Sequence, residues 1–73
     1  MTTTAETFIG IDVSKARLDV AVHASPDLWH AANTAAGIAA LVQRVQTLHP
    51  TLIVLEATGG YELSLVAELA AAQ

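Results

Sequence analysis

Two acidic residues each end an apolar run of the sequence. Asp12 closes the run Phe-Ile-Gly-Ile-Asp at 8–12, and Glu56 closes Thr-Leu-Ile-Val-Leu-Glu at 51–56. Carboxylate oxygens are the ligands that Mg²⁺ prefers, and two such ions roughly 4 Å apart can activate a nucleophile and stabilise the leaving oxygen in phosphoryl transfer. If the runs are neighbouring parallel strands, their carboxyl ends meet and the two acids converge. The pattern therefore predicts part of a metal site, with strand or turn capping by each acid as the alternative.

Two turns near these acids could contact a phosphate. Thr58, Gly59 and Gly60 precede a predicted helix, and backbone N–H groups at a helix N-terminus can bind an anion. The alternative is a plain turn that needs glycine dihedral angles. Lys15 and Arg17 follow the first acid and could touch a nucleic-acid backbone, although isolated basic residues are more often part of a solvated turn.

Hydrophobic periodicity predicts the elements that position these residues. Residues 18–22 alternate between apolar and polar as a half-buried strand does, whereas the run at 51–56 is typical of a strand buried on both faces of a sheet. The predicted elements are strands at 8–12, 18–22, 28–32 and 51–56, with helices at about 34–48 and 61–72.

The predicted helices have recognisable ends and apolar stripes. Asn33 and Thr34 supply an N-cap for the first helix, and Pro50 stops it. Its apolar residues recur at three-and-four spacing: Ile38, Leu41, Val42, Val45 and Leu48. For the second helix, the predicted buried stripe consists of Leu63, Val66, Ala67 and Ala70.

The element order β-β-β-α-β-α predicts an α/β fold with a mixed sheet. A meander, a crossover helix and a strand that returns beside the first give the strand order third-second-first-fourth. This arrangement is the opening half of a ribonuclease H-like sheet, and it also opens the actin-like ATPases. Element order alone does not separate the two.

Composition narrows the classes of protein. At 73 residues the chain has room for one domain, predicted at 8–73 after a flexible tail at 1–7. A hydrophobic fraction of 53% with 14% charged residues indicates a packed chain. A net charge of −4 leaves no basic surface that would hold nucleic acid alone. The absence of cysteine, of a signal-like start and of a membrane-spanning run favours the cytoplasm.

Three sequence blocks together resemble the start of the DEDD transposases of bacterial insertion sequences, and most closely the insertion-sequence "one-ten" family. The blocks are Gly10-Ile-Asp-Val-Ser-Lys15, Leu18-Asp-Val20 and Glu56-Ala-Thr-Gly-Gly-Tyr61. The resemblance implies a partial RuvC-like (ribonuclease H-like) fold that lacks its C-terminal strand and helices. It also implies that Asp12 and Glu56 are the first two of four acids that bind Mg²⁺ or Mn²⁺.

The same resemblance implies partners and a limit on activity. The family's other two acids and its serine-bearing domain would lie beyond Gln73, and the parent enzyme would recombine DNA under the direction of a guide RNA in a bacterial cytoplasm. We therefore expect no cleavage from these residues alone. Without a fifth strand, the strand at 51–56 would present an open apolar edge, so we expect a homo-oligomer through that edge or the second helix.

Two other functions remain open at this point. The opening segment of an actin-like ATPase or sugar kinase also has an apolar strand, an acid and a hairpin. That class uses a glycine- and threonine-rich turn around phosphates, however, and the residues 12–18 contain no glycine. A non-catalytic, oligomerising remnant is the third possibility.

Overall fold

Six elements follow one another in the order that hydrophobic periodicity predicts. The computed structural model describes residues 6–23, 25–26, 28–57 and 59–72. The elements are β1 Phe8–Val13, β2 Arg17–Val22, β3 Leu28–Ala32, α1 Ala35–Thr47, β4 Leu52–Ala57 and α2 Leu63–Ala71. The predicted α/β class is confirmed, and each boundary lies within two residues of its predicted position.

The four strands form one mixed sheet in the order β3-β2-β1-β4. β1 pairs antiparallel with β2 and parallel with β4, and β2 pairs antiparallel with β3. The predicted strand order is therefore confirmed. β1 is central and β4 is an edge strand, so the run that ends in Glu56 has β1 on one side only.

The alternation of side chains along the strands separates a buried face from an open face. In β1, Ile9, Ile11 and Val13 are buried, whereas Gly10 and Asp12 are exposed. Period-two alternation places these two sets on opposite faces of the sheet. The buried set of β1 and its counterparts in β2 pack with the helices in one core: Ile9, Ile11, Val13, Leu18, Val20, Ile38, Leu41, Val42, Val45 and Leu65.

Helix α1 covers the buried face through the stripe predicted for it. Thr34 is its N-cap, and the Thr34 hydroxyl accepts a hydrogen bond of 3.1 Å from the Gly37 N–H. After Leu48, His49 adopts the left-handed conformation with φ of 48°. A residue in this conformation commonly follows the last turn of a helix, and Pro50 then prevents its continuation.

The predicted stripe of helix α2 is wrong. Leu65 is the buried residue of this helix, with Leu69 and Ala72 packed beside it, whereas Leu63 and Val66 are exposed. Nearly every position of α2 is apolar, so two different stripes satisfy three-and-four spacing equally well. Contact with α1 selects one of them.

Within the described ranges, no helix is both long and apolar enough to cross a membrane.

The prediction that β4 is buried on both faces is also wrong. Ile53 and Leu55 pack against the core, but Leu52 and Val54 on the other face are 53% and 49% exposed. In the part of the chain that the structure describes, both helices lie on one side of the sheet. The second face of β4 therefore stays open to solvent, although its composition suits a covered strand.

The predicted flexible tail falls mostly outside the described residues, which begin at Glu6. Thr7 is hydrogen bonded to the start of β4: its N–H donates to the Thr51 hydroxyl at 3.2 Å, and its carbonyl accepts from the Thr51 N–H at 2.7 Å. These bonds extend the pairing of β1 with β4 by one residue toward the N-terminus.

Gly37 generates a stability prediction, because α1 begins against the end of β3. A Cβ at Gly37 would overlap the carbonyl oxygen of Ala32 and lie 2.8 Å from its carbonyl carbon. Alanine normally favours a helix over glycine by about 1 kcal/mol. Here we expect Gly37→Ala to lower the free energy of unfolding by about 1–3 kcal/mol, as overpacking does.

Urea denaturation followed by circular dichroism measures this effect, with Gly10→Ala as the matched control. A Cβ at Gly10 would meet nothing within 4 Å, so that variant should be at least as stable as the wild type. A stabilised Gly37→Ala variant would contradict the close approach of α1 to β3.

Candidate functional site

The two acids predicted to converge are direct neighbours in the sheet. Asp12 of β1 is the register partner of Glu56 of β4 in the parallel pair. Adjacent strands lie about 4.8 Å apart, and both residues belong to the open face, where their side chains are exposed. The predicted convergence of Asp12 and Glu56 at the carboxyl ends of their strands is therefore confirmed.

The same register continues across the whole sheet. Asp12 also pairs with Asp19 of β2, and Asp19 pairs with His30 of β3. Glu56, Asp12, Asp19 and His30 thus form one line across four strands, which we call the polar row. Sequence reasoning found its first two members and missed the others, because only the strand register brings Asp19 and His30 into line with them.

Beside the polar row, the open face carries an apolar row. Val54, Gly10, Ala21 and Leu28 are successive register partners across the four strands. The two middle positions hold the smallest side chains, so the centre of this row is low. Apart from Val54, the residues of the two rows line a groove on the open face, and Arg17 also borders it.

Among the described residues, only one of the three acids in the polar row has an ion-pair partner. Arg17 forms an ion pair with Asp19, with both Nε and Nη2 at 2.9 Å from Oδ1. The hydrogen bond and the charge of Asp19 raise the pKa of the Arg17 guanidinium above its usual value. No ion pair to Asp12 or Glu56 occurs among the described residues. Asp12 thus lies between two acids, an arrangement that like-charge repulsion disfavours unless a cation binds there.

The turn after β1 is closed by its own hydrogen bonds. The Ser14 N–H and hydroxyl both donate to the Arg17 carbonyl at 2.9 Å, and the Arg17 N–H donates to the Ser14 hydroxyl at 3.2 Å. Both the backbone and the hydroxyl of Ser14 are therefore engaged within this turn. Lys15 is exposed at the tip of this turn, and its contact with phosphate stays a prediction.

The turn after β4 needs its glycines for their backbone conformation. Gly59 and Gly60 have φ of 74° and 79°, which residues with a Cβ rarely adopt. Because α2 begins only at Leu63, the two glycines lie before its first turn and are not part of it. Thr58, the third residue of the predicted phosphate site, lies outside the described residues.

Glu62 adds a carboxylate to this segment. It precedes α2 without forming a side-chain cap, and its Oε1 atom is buried with no hydrogen-bond partner among the described residues. A buried polar atom without a partner costs free energy. The start of α2 therefore has no side-chain cap from Glu62.

Asn33 connects the turn that follows Asp12 with the turn that follows Glu56. Its side-chain nitrogen donates to the Ser14 carbonyl at 2.9 Å and to the Tyr61 carbonyl at 3.2 Å, while its backbone N–H donates to the Ala16 carbonyl at 3.0 Å. Sequence reasoning assigned Asn33 and Thr34 together to the helix cap, and Thr34 performs that role. No local signal reveals this bridge, because its side-chain partners are 19 and 28 residues away along the chain.

The donor set fits part of a magnesium site. Mg²⁺ is commonly bound by one or two carboxylates, with water and substrate phosphates as its other ligands. Asp12 and Glu56 supply two carboxylates, and the described residues contain no group of three acidic or histidine side chains arranged to hold a metal by themselves.

No protein-family model and no curated protein matches the chain. The resemblance to the DEDD transposases therefore rests on the sequence blocks themselves.

Asn33 generates the second prediction. Asn33→Ala removes both bridging donors, and we expect a loss of about 1–2 kcal/mol in the free energy of unfolding, since it leaves two carbonyls without their donor. Asn33→Asp has nearly the same shape but presents a carboxylate to these carbonyls, so it should be at least as destabilising at neutral pH.

Chemical denaturation measures both variants, and backbone amide exchange tests the position of the bridge. Exchange should accelerate in the turns at 14–17 and 59–62 more than in the strands. A tolerated Asn33→Asp variant would show that the bridge does not hold the two turns together.

Proposed function

We propose that this chain carries the first two acids of a RuvC-like metal site in a DNA transposase of the DEDD type. The observation that carries the proposal is the pairing of Asp12 with Glu56 at the carboxyl ends of adjacent parallel strands, with no ion-pair partner for either among the described residues. Two exposed carboxylates in this position are suited to sharing a divalent cation, Mg²⁺ or Mn²⁺.

The sheet supports the ribonuclease H-like part of this proposal. A meander followed by a helical crossover to the other side of β1 gives the order β3-β2-β1-β4. That order is the one expected for the opening half of such a sheet, with the first acid on the central strand and the second on its parallel neighbour. The sheet and its two helices make the fold α/β.

Two residues of the polar row would bind the divalent cation. Asp12 and Glu56 would hold the cation at the rim of the groove, where their exposure lets a strand of DNA approach. When bound, such a cation supplies Lewis-acid stabilisation and an activated water for phosphodiester chemistry. The resemblance further implies two more acids, a guide RNA and a serine-bearing domain in the parent transposase.

The alternative of an actin-like ATPase receives less support. That class needs the turn after the first strand to surround phosphates with backbone N–H groups. Here the Ser14 N–H is bonded to the Arg17 carbonyl, which closes the turn on itself. Phosphate binding there would require breaking this bond, whereas the Asp12 and Glu56 side chains are exposed and have no ion pair among the described residues that a cation would have to break.

The edge strand supports self-association with a second copy of the chain. β4 pairs on one side only, and its residues 52–57 include no proline, lysine or arginine, which commonly block edge pairing. Antiparallel pairing of two β4 strands about a twofold axis at Val54 would place Leu52 opposite Glu56, so the two Glu56 carboxylates would not meet. We therefore propose a symmetric dimer through β4.

Metal binding is the third prediction. Titration with Mn²⁺, followed by paramagnetic broadening in proton–nitrogen NMR spectra, should affect amides around Asp12 and Glu56 first. Asp12→Asn and Glu56→Gln should each weaken binding by roughly tenfold or more, since each removes a charged ligand. Asp12→Asn should also stabilise the fold by about 0.2–1 kcal/mol, because it relieves repulsion from two neighbouring acids.

The gain in stability separates a lost ligand from a lost fold. Glu68→Gln, an equal change of charge at an exposed position of α2, is the matched control and should leave Mn²⁺ binding unchanged. Broadening that persists in both Asp12→Asn and Glu56→Gln would sink the proposed metal site.

Self-association is the fourth prediction. Sedimentation velocity at high micromolar concentration should show a dimer that Val54→Lys converts to monomer, because a charge in the middle of the edge strand opposes pairing. Ser64→Lys, the same charge on the exposed side of α2, should leave the dimer intact. A monomeric wild type would refute the dimer, and dissociation by Leu63→Lys alone would transfer the interface to α2.

A further inference from the structure

Arg17 occupies an unusual position beside the acids. It is the first residue of β2 and borders the same groove as Asp12 and Glu56. Among the described residues, no other lysine or arginine lines this groove: Lys15 is at the turn tip, and Arg44 stacks on Trp29 with 4.2 Å between its Cζ atom and the ring centroid. Among the described residues, Arg17 is therefore the basic side chain that lies beside the acids on the open face.

Both the backbone and the side chain of Arg17 are held in place. Reciprocal hydrogen bonds with Ser14 hold its main chain. Its guanidinium is held from one side, where a single oxygen of Asp19 accepts from Nε and lies equally close to Nη2. A guanidinium has five N–H donors; Asp19 accepts a hydrogen bond from the Nε donor, which leaves donors of the Nη groups for another acceptor.

Stability does not account for this ion pair. The side chains of Arg17 and Asp19 are 58% and 43% exposed, and exposed ion pairs add little to the free energy of unfolding. The pair does favour one orientation of a long side chain. A restricted guanidinium is well suited to bind a planar or tetrahedral oxyanion, because less rotational freedom is lost on binding.

The charge pattern of the groove indicates which anion this would be. Acids repel a polyanionic strand unless cations accompany them, and arginine matches the geometry of phosphate through parallel N–H···O bonds. We propose that Arg17, oriented by Asp19, binds a phosphodiester of the nucleic-acid strand that crosses the Asp12–Glu56 site. This inference rests on the proposed function and assigns Arg17 to substrate binding and Asp19 to positioning it.

A substitution of Asp19 tests the proposal, because positioning of Arg17 and overall charge predict opposite changes in the affinity for an anionic strand. Removing its carboxylate makes the chain less negative by one charge, so simple electrostatics predicts tighter binding of an anionic strand. If Asp19 instead positions Arg17, Asp19→Ala should weaken binding despite the favourable change in charge. A role for the ion pair in stability alone predicts no loss of binding in a folded variant.

The experiment titrates the intact chain with a short single-stranded oligothymidylate in magnesium buffer and follows the Arg17 Nε–H signal by NMR. We expect that signal to shift in the wild type, and thymidine without phosphate to leave it unchanged. Arg17→Ala should weaken binding about tenfold, as the loss of a charge-assisted bond does. Arg17→Lys should restore only part of the affinity, since a lysine cannot form the planar fork.

Matched controls separate the outcomes. Arg44→Gln removes the same charge as Arg17→Ala from the helical side, and Glu68→Gln gives the same charge change as Asp19→Ala; each should alter affinity less than about twofold. Tighter binding by Asp19→Ala, equal binding by folded Arg17→Ala, or no binding by the wild type would overturn the inference. In each of these cases the proposed metal site would still hold if the wild type binds Mn²⁺ and Asp12→Asn abolishes that binding. A wild type that does not bind Mn²⁺ would refute the proposed function instead.

Discussion

The parallel pairing of β1 with β4 is the interaction on which the rest of the structure depends. These strands are not consecutive, so α1 must cross the sheet between them, and its apolar stripe buries the face that β1 shares with β2. The same pairing sets Asp12 beside Glu56. A shift of one residue would turn every side chain of β4 to the other face, which would bury the acid and expose the core residues. Packing of the core and placement of the acids are therefore consequences of one register.

The open face combines features that oppose stability with features that suit binding. Three carboxylates lie in one row, and among the described residues only Asp19 has an ion-pair partner, Arg17. The apolar residues Leu28, Leu52 and Val54 remain exposed on the same face. A face selected for stability alone would avoid neighbouring like charges and cover its leucines. The same pattern becomes favourable when a cation neutralises the acids and another surface covers the apolar row. Charge and burial thus indicate the same face of the sheet for interaction.

The failures of prediction share one cause. Helix α2 is apolar at nearly every position, and β4 is apolar at every position before Glu56. Periodicity distinguishes a buried side from an exposed one only where polar residues interrupt the pattern. In α1, alanines and the polar residues Gln43, Arg44 and Gln46 separate the large apolar residues and leave one stripe possible, and the prediction for it is confirmed. In α2, contact of Leu65 with the core decides between two stripes. For β4, the position of both helices on one side of the sheet decides which face stays open.

By itself, the sequence determined the kinds of element, their order, the caps and stops of α1, and the pairing of two acids at strand ends, because these depend on local periodicity and on the short list of allowed crossovers. Only the tertiary structure decided which residues accompany those acids. Asp19 and His30 join the polar row through strand register, and Asn33 bridges two turns that are distant along the chain. The Arg17 guanidinium is held beside the groove because Asp19, two residues along the same face of β2, accepts a hydrogen bond from its Nε and forms an ion pair with it. Such relations depend on the distances between elements, which a one-dimensional pattern does not contain.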